Sequence, residues 1–463
     1  AYWGLLLAGI SLWLVNWAYG RALFIDEANV ARNLFDRSWN GLFQPLDHQQ
    51  YAPPLYLVFT KACGEVFGYG ELALRLPALL GGGLCIYGLT LAGKALKLGW
   101  WTLLPLALLF VNPTVLRYVG EVKPYALDLG LAAVLLALIL SRGTSFSIGS
   151  RQASHLTYWY WALIGVVAVW WSLPVIFILA TVGSYALLQD TAKWKAWLLV
   201  GLVWVVSFFA LYFLVLRPSI SDSYLNTYHQ AYFFPLPKEG KFAWLQALRL
   251  ILEQPKLAFG YTSIAIFFGI AMTVIALFQF FSDRKFLLIA PLLIAFLAST
   301  FEQYSLLPRL LLFTLPGWWL LAAIGSKYVY ATNTLAKYWR YGLVVVWLIT
   351  LGGTNVVRHF TQPLNFSHSR TMSTQLELGY RPILHKSALP GYDYYQRIHP
   401  KTKDTTFVSL PPSKISEEDF PGDFVLLYGA TAHKSRLKDQ QWATERGCKA
   451  RYESGGRLYL SCP

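Results

Sequence analysis

Asp26 and Glu27 stand side by side directly after an apolar block, in Phe24-Ile-Asp26-Glu27-Ala-Asn-Val-Ala-Arg-Asn33. Acids at a helix start meet the dipole and the orphan amide groups, so this pair alone reads as a cap. A second set changes the balance: Arg117-Tyr-Val-Gly-Glu121-Val-Lys123-Pro124-Tyr125, then Asp128 at the head of another apolar block. Pro124 biases Lys123 away from helix, which places Glu121 and Lys123 in a loop. Long basic side chains snorkel to water, which accounts for Arg117 and Lys123; the short acids Glu121 and Asp128 reach it poorly. Arg309, after Pro308, enters an almost unbroken apolar run. A guanidinium in such a place is a functional candidate and suits a phosphate through paired hydrogen bonds. Carboxylates can take a proton and the cations can hold a phosphate, a combination that suits transfer from a lipid-anchored phosphate donor. Asp26 and Glu27 differ by one position, so from a helix start one faces the reaction and the other caps or braces the loop.

The elements that must position these groups are built for lipid. Of the 463 residues, 56% are hydrophobic and 14% charged, against about a quarter charged in ordinary soluble domains. The apolar residues fall in blocks, Trp3 to Phe24, Ala78 to Leu91, Trp100 to Val111, Leu127 to Leu140 and Leu198 to Leu216, each approaching the roughly 20 residues that cross a bilayer. The formal charge of +15 comes from Lys and Arg in short loops between these blocks. No basic domain results, which argues against nucleic acid as a partner.

Basic loops are retained in the cytoplasm, and Lys94 to Lys97, Arg142 to Arg151, Lys193 with Lys195, Arg284 with Lys285, and Lys327 to Arg340 share one side if two spans separate each pair. The tight interval Tyr158 to Leu188 must then turn near Ser172-Leu-Pro174. Ala52 to Phe67 is short and carries Lys61 and Glu65, which are expensive in lipid, so it is laid in the interface without crossing. The expectation is an all-α polytopic membrane protein of about 11 spans, plus interfacial helices, in the cell inner (plasma) membrane. Its amino terminus is cytoplasmic, its carboxyl terminus and active site extracytoplasmic. Tyr2 to Phe24 is read as an uncleaved first span.

Residues 1–357 form the membrane domain, with a first outer loop at 25–71, and residues 358–463 a small extracytoplasmic soluble α/β domain, where 15 Lys or Arg and 10 Asp or Glu appear from Arg358 onward. Within it Phe424 to Tyr428 reads as a strand and Ala432 to Arg446 as a helix. A closing hairpin with a loop at Ser454 to Gly456 would face Glu453 to Arg457 and Cys448 to Cys462, a register that permits a disulfide in an oxidising compartment. Cys63 and Cys85 lie in apolar surroundings and read as small buried hydrophobes.

Other chemistries find little footing. The eight histidines have no ligand spacing, and His48 in Asp47-His48-Gln49-Gln50 reads as a polar loop residue. No phosphate-binding glycine loop or dinucleotide fingerprint occurs. No cofactor is certain; a divalent metal, if used, would be held by Asp26 and Glu121.

Several motifs, taken in order, resemble the GT-C superfamily of membrane glycosyltransferases, in the branch of the protein O-mannosyltransferases and lipid A aminoarabinose transferases. They are Asp26-Glu27 after the first span, Ala52-Pro-Pro-Leu-Tyr-Leu57, Phe67-Gly68 with Glu71-Leu-Ala-Leu-Arg75-Leu-Pro77, Arg117 to Tyr125, and Pro308-Arg309. Ala52 stands where the aminoarabinose branch has lysine, and Lys123 where many relatives have arginine. The resemblance implies a polyprenyl-phosphate-linked sugar donor, a first outer loop bearing the catalytic acid, and a variable outer domain. It places the catalytic aspartate at Asp26, with Glu27 and Glu121 as further catalytic candidates. Lys123, Arg309 and Arg117 would bind the donor phosphate, and Asp128, His48 and Tyr125 would serve the acceptor or positioning. The activity so implied is an inverting cell-envelope glycosyltransferase acting on a lipid, glycan or protein acceptor hydroxyl at the outer membrane surface. The alternative is a transporter or flippase of lipid-linked sugars, which discontinuous spans and inverted repeats would favour; no repeat is evident.

Overall fold

The computed structural model describes residues 2–142, 155–220, 223–236, 242–260, 262–279, 284–331 and 352–357, with 240, 359, 381–384, 388–398, 408–409, 424–427, 441, 444–445, 447–452 and 456–460. The amino-terminal helices are α1 (Tyr2–Ala18), α2 (Ile25–Asp36), α3 (Pro54–Phe67), α4 (Glu71–Leu74), α5 (Leu76–Ala95), α6 (Leu103–Val111), α7 (Pro113–Tyr118) and α8 (Tyr125–Arg142). Then come α9 (His155–Trp171), α10 (Val175–Gln189), α11 (Trp194–Leu211), α12 (Arg217–Ile220), α13 (Ser223–Gln230), α14 (Ala243–Phe259), α15 (Ser263–Gln279) and α16 (Arg284–Thr300). A 3-10 turn, Pro308–Thr314, leads into α17 (Leu315–Ala331).

Among the described residues three helical runs are long and apolar enough to cross a membrane, Glu71–Ala95, Thr191–Leu216 and Pro308–Val329. Ala243–Phe259 and Ser263–Phe278 would qualify together but are bent by 96°. Shorter apolar helices such as Tyr2–Ala18, Tyr125–Ser141 and Val175–Gln189 lie among them. The helices α9 and α10 are parted at Ser172-Leu173-Pro174, because proline cannot continue the hydrogen-bond ladder. The helix α3 is not among the candidate spans. It starts on Pro54 at its first turn, and its buried Lys61 ammonium donates to the Leu34 carbonyl at 2.7 Å and to the Tyr69 hydroxyl at 3.1 Å. A cation at the carboxyl end of α2 is where the helix dipole favours it, and Glu65 at 3.3 Å completes the charge pairing.

The scaffold behind the site is the pair α5 and α8. A side chain at Gly81 would meet the Ala126 backbone at 2.5 Å, and one at Gly88 the Ala133 backbone at 2.5 Å. Absent side chains let the two backbones touch, the usual means of close helix packing where lipid gives no hydrophobic drive. This contact fixes the head of α8, and hence the loop that precedes it.

In the carboxy-terminal part, β1 (Arg381–Leu384), β2 (Val408–Ser409), β3 (Phe424–Leu427), β4 (Lys449–Tyr452) and β5 (Gly456–Leu460) form a sheet of order β2-β1-β3-β5-β4. The pairs β1 with β2 and β1 with β3 are parallel; β3 with β5 and β4 with β5 are antiparallel. The hairpin register departs from the expected one. Tyr452 faces Leu458, as a Glu453 to Arg457 pairing requires, but an irregularity then shifts the pairing so that Ala450 faces Tyr459 and Lys449 faces Leu460. A bulge of this kind moves every later pair by one position, so the Cys448 to Cys462 alignment read from uniform alternation does not follow. Cys448 is nevertheless disulfide-bonded, while Cys63 and Cys85 are free and buried; Cys462 lies outside the described residues, as does most of the expected helix from Ala432 to Arg446.

The helix α18 (Leu389–Ile398) follows β1 and packs on α2. Tyr392, Tyr394 and Tyr395 are buried beneath it. The Tyr395 hydroxyl accepts from the Leu23 N–H at 3.0 Å and donates to Glu71 at 2.6 Å, and the Tyr394 hydroxyl donates to the Tyr69 carbonyl. Arg32 pairs with Asp393 at 2.5 Å, and Arg397 bridges Asp36 and Asp393. Tyr395→Phe leaves the buried Leu23 N–H without an acceptor. It is expected to lower unfolding stability by about 1–3 kcal/mol, read as a lower midpoint in thermal unfolding in detergent; an unchanged midpoint would mean that α18 does not brace α2.

Candidate active site

The loop between α7 and α8 is set up by Asn112-Pro113. The Asn112 side-chain carbonyl accepts from the N–H groups of Thr114 and Val115 at 3.0 and 3.1 Å, and proline at the first helical position is pre-set for the turn. The other end of Asn112 donates to the Leu257 carbonyl at 2.8 Å, tying this loop to α14. The chain then runs through Val119 to Pro124 and enters α8 at Tyr125.

Glu27 lies fully buried at the centre of an ionic knot. One oxygen pairs with Arg75 at 3.1 Å and accepts the Val122 N–H at 2.8 Å. The other pairs with Arg21 at 3.2 Å and accepts the Phe24 N–H at 3.0 Å, capping its own helix. Arg75 is equally buried and also donates to the Arg21 carbonyl at 2.8 Å. Burial pushes the Glu27 carboxyl up, but Arg21, Arg75 and the two N–H groups outweigh it and hold it at about 2. Three segments thus meet on one carboxylate: the head of α2, the junction of α4 with α5, and the loop before α8. Glu121 is likewise engaged, by Arg117 at 2.7 Å and Arg21 at 3.2 Å.

Asp26, one position earlier, is half-buried. Among the described residues its carboxylate makes no ion pair and accepts no hydrogen bond, yet its charge acts on Lys123, Tyr125 and Arg309. Lys123 is 6% exposed and donates to the Gln50 side-chain carbonyl at 2.8 Å. Burial pulls its ammonium down from the ordinary lysine range, and Asp26 opposes that pull. Arg309 stacks over the Tyr228 ring at 5.8 Å, and its buried Nε makes no hydrogen bond among the described residues. Tyr125 packs edge-on against Tyr118 at 4.9 Å. Asp128 is buried at the head of α8, one oxygen lacking a hydrogen bond among the described residues.

Asp26, Lys123, Tyr125 and Arg309 therefore come together, with Arg117 and Glu121 joined to the same loop. His48 is exposed and stands apart, its ring lowered by burial and by the charge of Arg32. His48 and Gln49 both have positive φ, 61° and 55°, and this unusual pair turns the chain so that Gln50 reaches Lys123. Among the described residues no group of three or more His, Cys, Asp or Glu side chains is placed to hold a metal, and Glu121, expected to join Asp26 around one, is bound to two guanidinium groups. Sequence reasoning missed Arg21, Gln50 and Tyr228. Arg21 and Gln50 carry no local signal; Tyr228 is one of 28 tyrosines.

No protein-family model matches the chain, and no curated protein sequence does. Solved structures do. The crystal structure of ArnT from Cupriavidus metallidurans bound to undecaprenyl phosphate matches with a TM-score of 0.54 and 13% identity, covering 98% of this chain and 97% of that one. Its apo state matches with a TM-score of 0.51 and 14% identity, over 99% and 98%. The archaeal oligosaccharyltransferase AglB from Archaeoglobus fulgidus, in complex with an inhibitory peptide and a dolichol-phosphate, matches with a TM-score of 0.53 and 12% identity, over 100% of this chain and 74% of that one. With likeness running the length of the chain, this protein has the fold seen in ArnT and AglB.

Proposed function

We propose that this protein is an inverting glycosyltransferase that moves a sugar from a polyprenyl phosphate to an acceptor hydroxyl. The observation that carries it is the unpaired Asp26 carboxylate set beside Lys123 and Arg309, in a fold whose solved examples hold undecaprenyl phosphate and a dolichol-phosphate. Asp26 takes the proton of the acceptor hydroxyl, whose oxygen attacks the anomeric carbon from the face opposite the phosphate. The bond from that carbon to the phosphate oxygen breaks, and the polyprenyl phosphate leaves with its pair of electrons. Lys123 and Arg309 stabilise the charge that develops there. Glu27 is assigned to bracing and Glu121 to fixing Arg21 and Arg117. The site is placed on the extracytoplasmic side of an inner (plasma) membrane, with about 11 spans and residues 358–463 as an outer domain.

Incubating the purified protein with radiolabelled polyprenyl-phosphate sugars and an acceptor extract tests this: release of polyprenyl phosphate with label transferred is expected, and tight binding with no turnover would favour a transporter. Lys123→Ala and Arg309→Ala each leave phosphate charge unpaired. Each is expected to weaken undecaprenyl phosphate binding about tenfold or more and to lower transfer as well. Unchanged affinity in both variants would remove these residues from the phosphate site.

A further inference from the structure

Among the described residues, four buried polar atoms around the head of α8 make no well-aligned hydrogen bond: Asp128 Oδ1, the Ser172 hydroxyl, and the hydroxyls of Tyr51 and Tyr56. They come from four places in the chain, the head of α8, the break between α9 and α10, the strained turn after Gln49, and the first turn of α3. They are nonetheless neighbours. The Ser172 hydroxyl lies within reach of the Asp128 carboxylate and the Tyr56 hydroxyl within reach of Thr60, each short of good hydrogen-bond alignment, and the charge of Asp128 acts on both Tyr51 and Tyr56. Buried polar groups are hydrogen-bonded in the great majority of cases, and each exception calls for an explanation. One orphan can be a packing accident; three hydroxyls around a carboxylate 5% exposed, with no cation beside it among the described residues, have the donor and acceptor character that a polyhydroxylated ligand would satisfy. A carboxylate accepts from a sugar hydroxyl, serine and tyrosine hydroxyls donate or accept, and the ring of Tyr51 offers an apolar face to carbon-bound hydrogens.

Resting on the glycosyltransferase reading, we infer that Asp128, Ser172, Tyr51 and Tyr56 form the subsite for the hydroxyl groups of the transferred sugar, separate from the phosphate cations Lys123 and Arg309. Such a site selects its sugar by the cost of leaving its own polar groups unpaired, so it rejects an isomer whose hydroxyl points elsewhere.

The test is a binding comparison with the full chain in lipid nanodiscs. The probes are undecaprenyl phosphate itself and its glucose, galactose, mannose and arabinose derivatives. The expected result is that at least one sugar-bearing lipid binds more tightly than undecaprenyl phosphate, and that Ser172→Ala and Tyr51→Phe each weaken that lipid about fivefold, one hydrogen bond apiece. Both variants should leave undecaprenyl phosphate affinity unchanged, whereas Arg309→Ala weakens every probe. These substitutions remove one oxygen each and keep the packing, so loss of fold does not cloud the result. The inference is overturned if no sugar adds affinity, if both variants keep the full sugar contribution, or if they weaken undecaprenyl phosphate to the same extent. Failure of the unaltered protein to bind undecaprenyl phosphate at all sinks the glycosyltransferase reading, and this subsite with it.

Discussion

Asp26→Asn protein will bind undecaprenyl phosphate as tightly as the unaltered chain while its transfer rate falls by at least about a hundredfold, the usual scale for a lost general base. The substitution keeps the size of the side chain and removes the charge that acts on Lys123 and Arg309. It breaks no hydrogen bond or ion pair among the described residues, so stability should be unchanged. Donor binding survives because both cations remain. The measurements are donor affinity and transfer rate in the same lipid, with thermal unfolding as a check. Near-normal transfer by a folded Asp26→Asn protein would defeat the assignment, and the base would then be sought elsewhere on the loop that carries Glu121.

The neighbouring Glu27→Gln should behave oppositely, failing through the fold. Its carboxylate neutralises Arg75, itself 1% exposed, and Arg21. Removing one partner of a buried ion pair leaves the other uncompensated, which costs about 3–5 kcal/mol. Thermal unfolding in detergent should show the loss, and a combined Glu27→Gln and Arg75→Gln protein should be less destabilised than the sum of the two single changes. A pH dependence accompanies it. The Glu27 carboxyl, held at about 2 when folded against an ordinary 4.5, contributes stability that is complete above about pH 4.5 and lost as pH falls toward 2. Glu27→Gln should flatten the stability profile across that window; an unchanged slope would show that other carboxylates govern the acid limb.

Which of the two acids is free was undecidable from Phe24-Ile-Asp26-Glu27, because both positions of a helix start can cap. What was legible is that they must part company, since adjacent residues cannot share a direction. The break at Ser172 to Pro174 and the loop before Tyr125 were legible for a similar reason: proline forbids what would otherwise continue. The partners of Glu27 were not. Arg75 and Val122 lie 48 and 95 positions away, and nothing in the local pattern of an arginine before Leu76-Pro77 says which carboxylate it will neutralise. The helix α18 escaped notice because its ten residues open on Leu389-Pro390-Gly391, which reads as a turn, and are too short and polar for a span. Next to the turn the hairpin register was legible, but beyond Tyr452 it was misread by one place, because a bulge within β4 leaves no mark in the residue pattern.

The hydrogen bond from Leu23 to Tyr395 joins residues 372 positions apart, and it lies three residues ahead of Asp26. During synthesis at 5–20 residues per second, α2 leaves the ribosome roughly 20 to 70 s before the helix that holds it in place. Until then the segment that carries Asp26 is held by the Glu27 ion pairs and lacks this second brace. A chain cut short before α18 would keep the Glu27 knot but carry Asp26 on a less firmly held helix, so the site reaches its full rigidity only after nearly the whole polypeptide has been made.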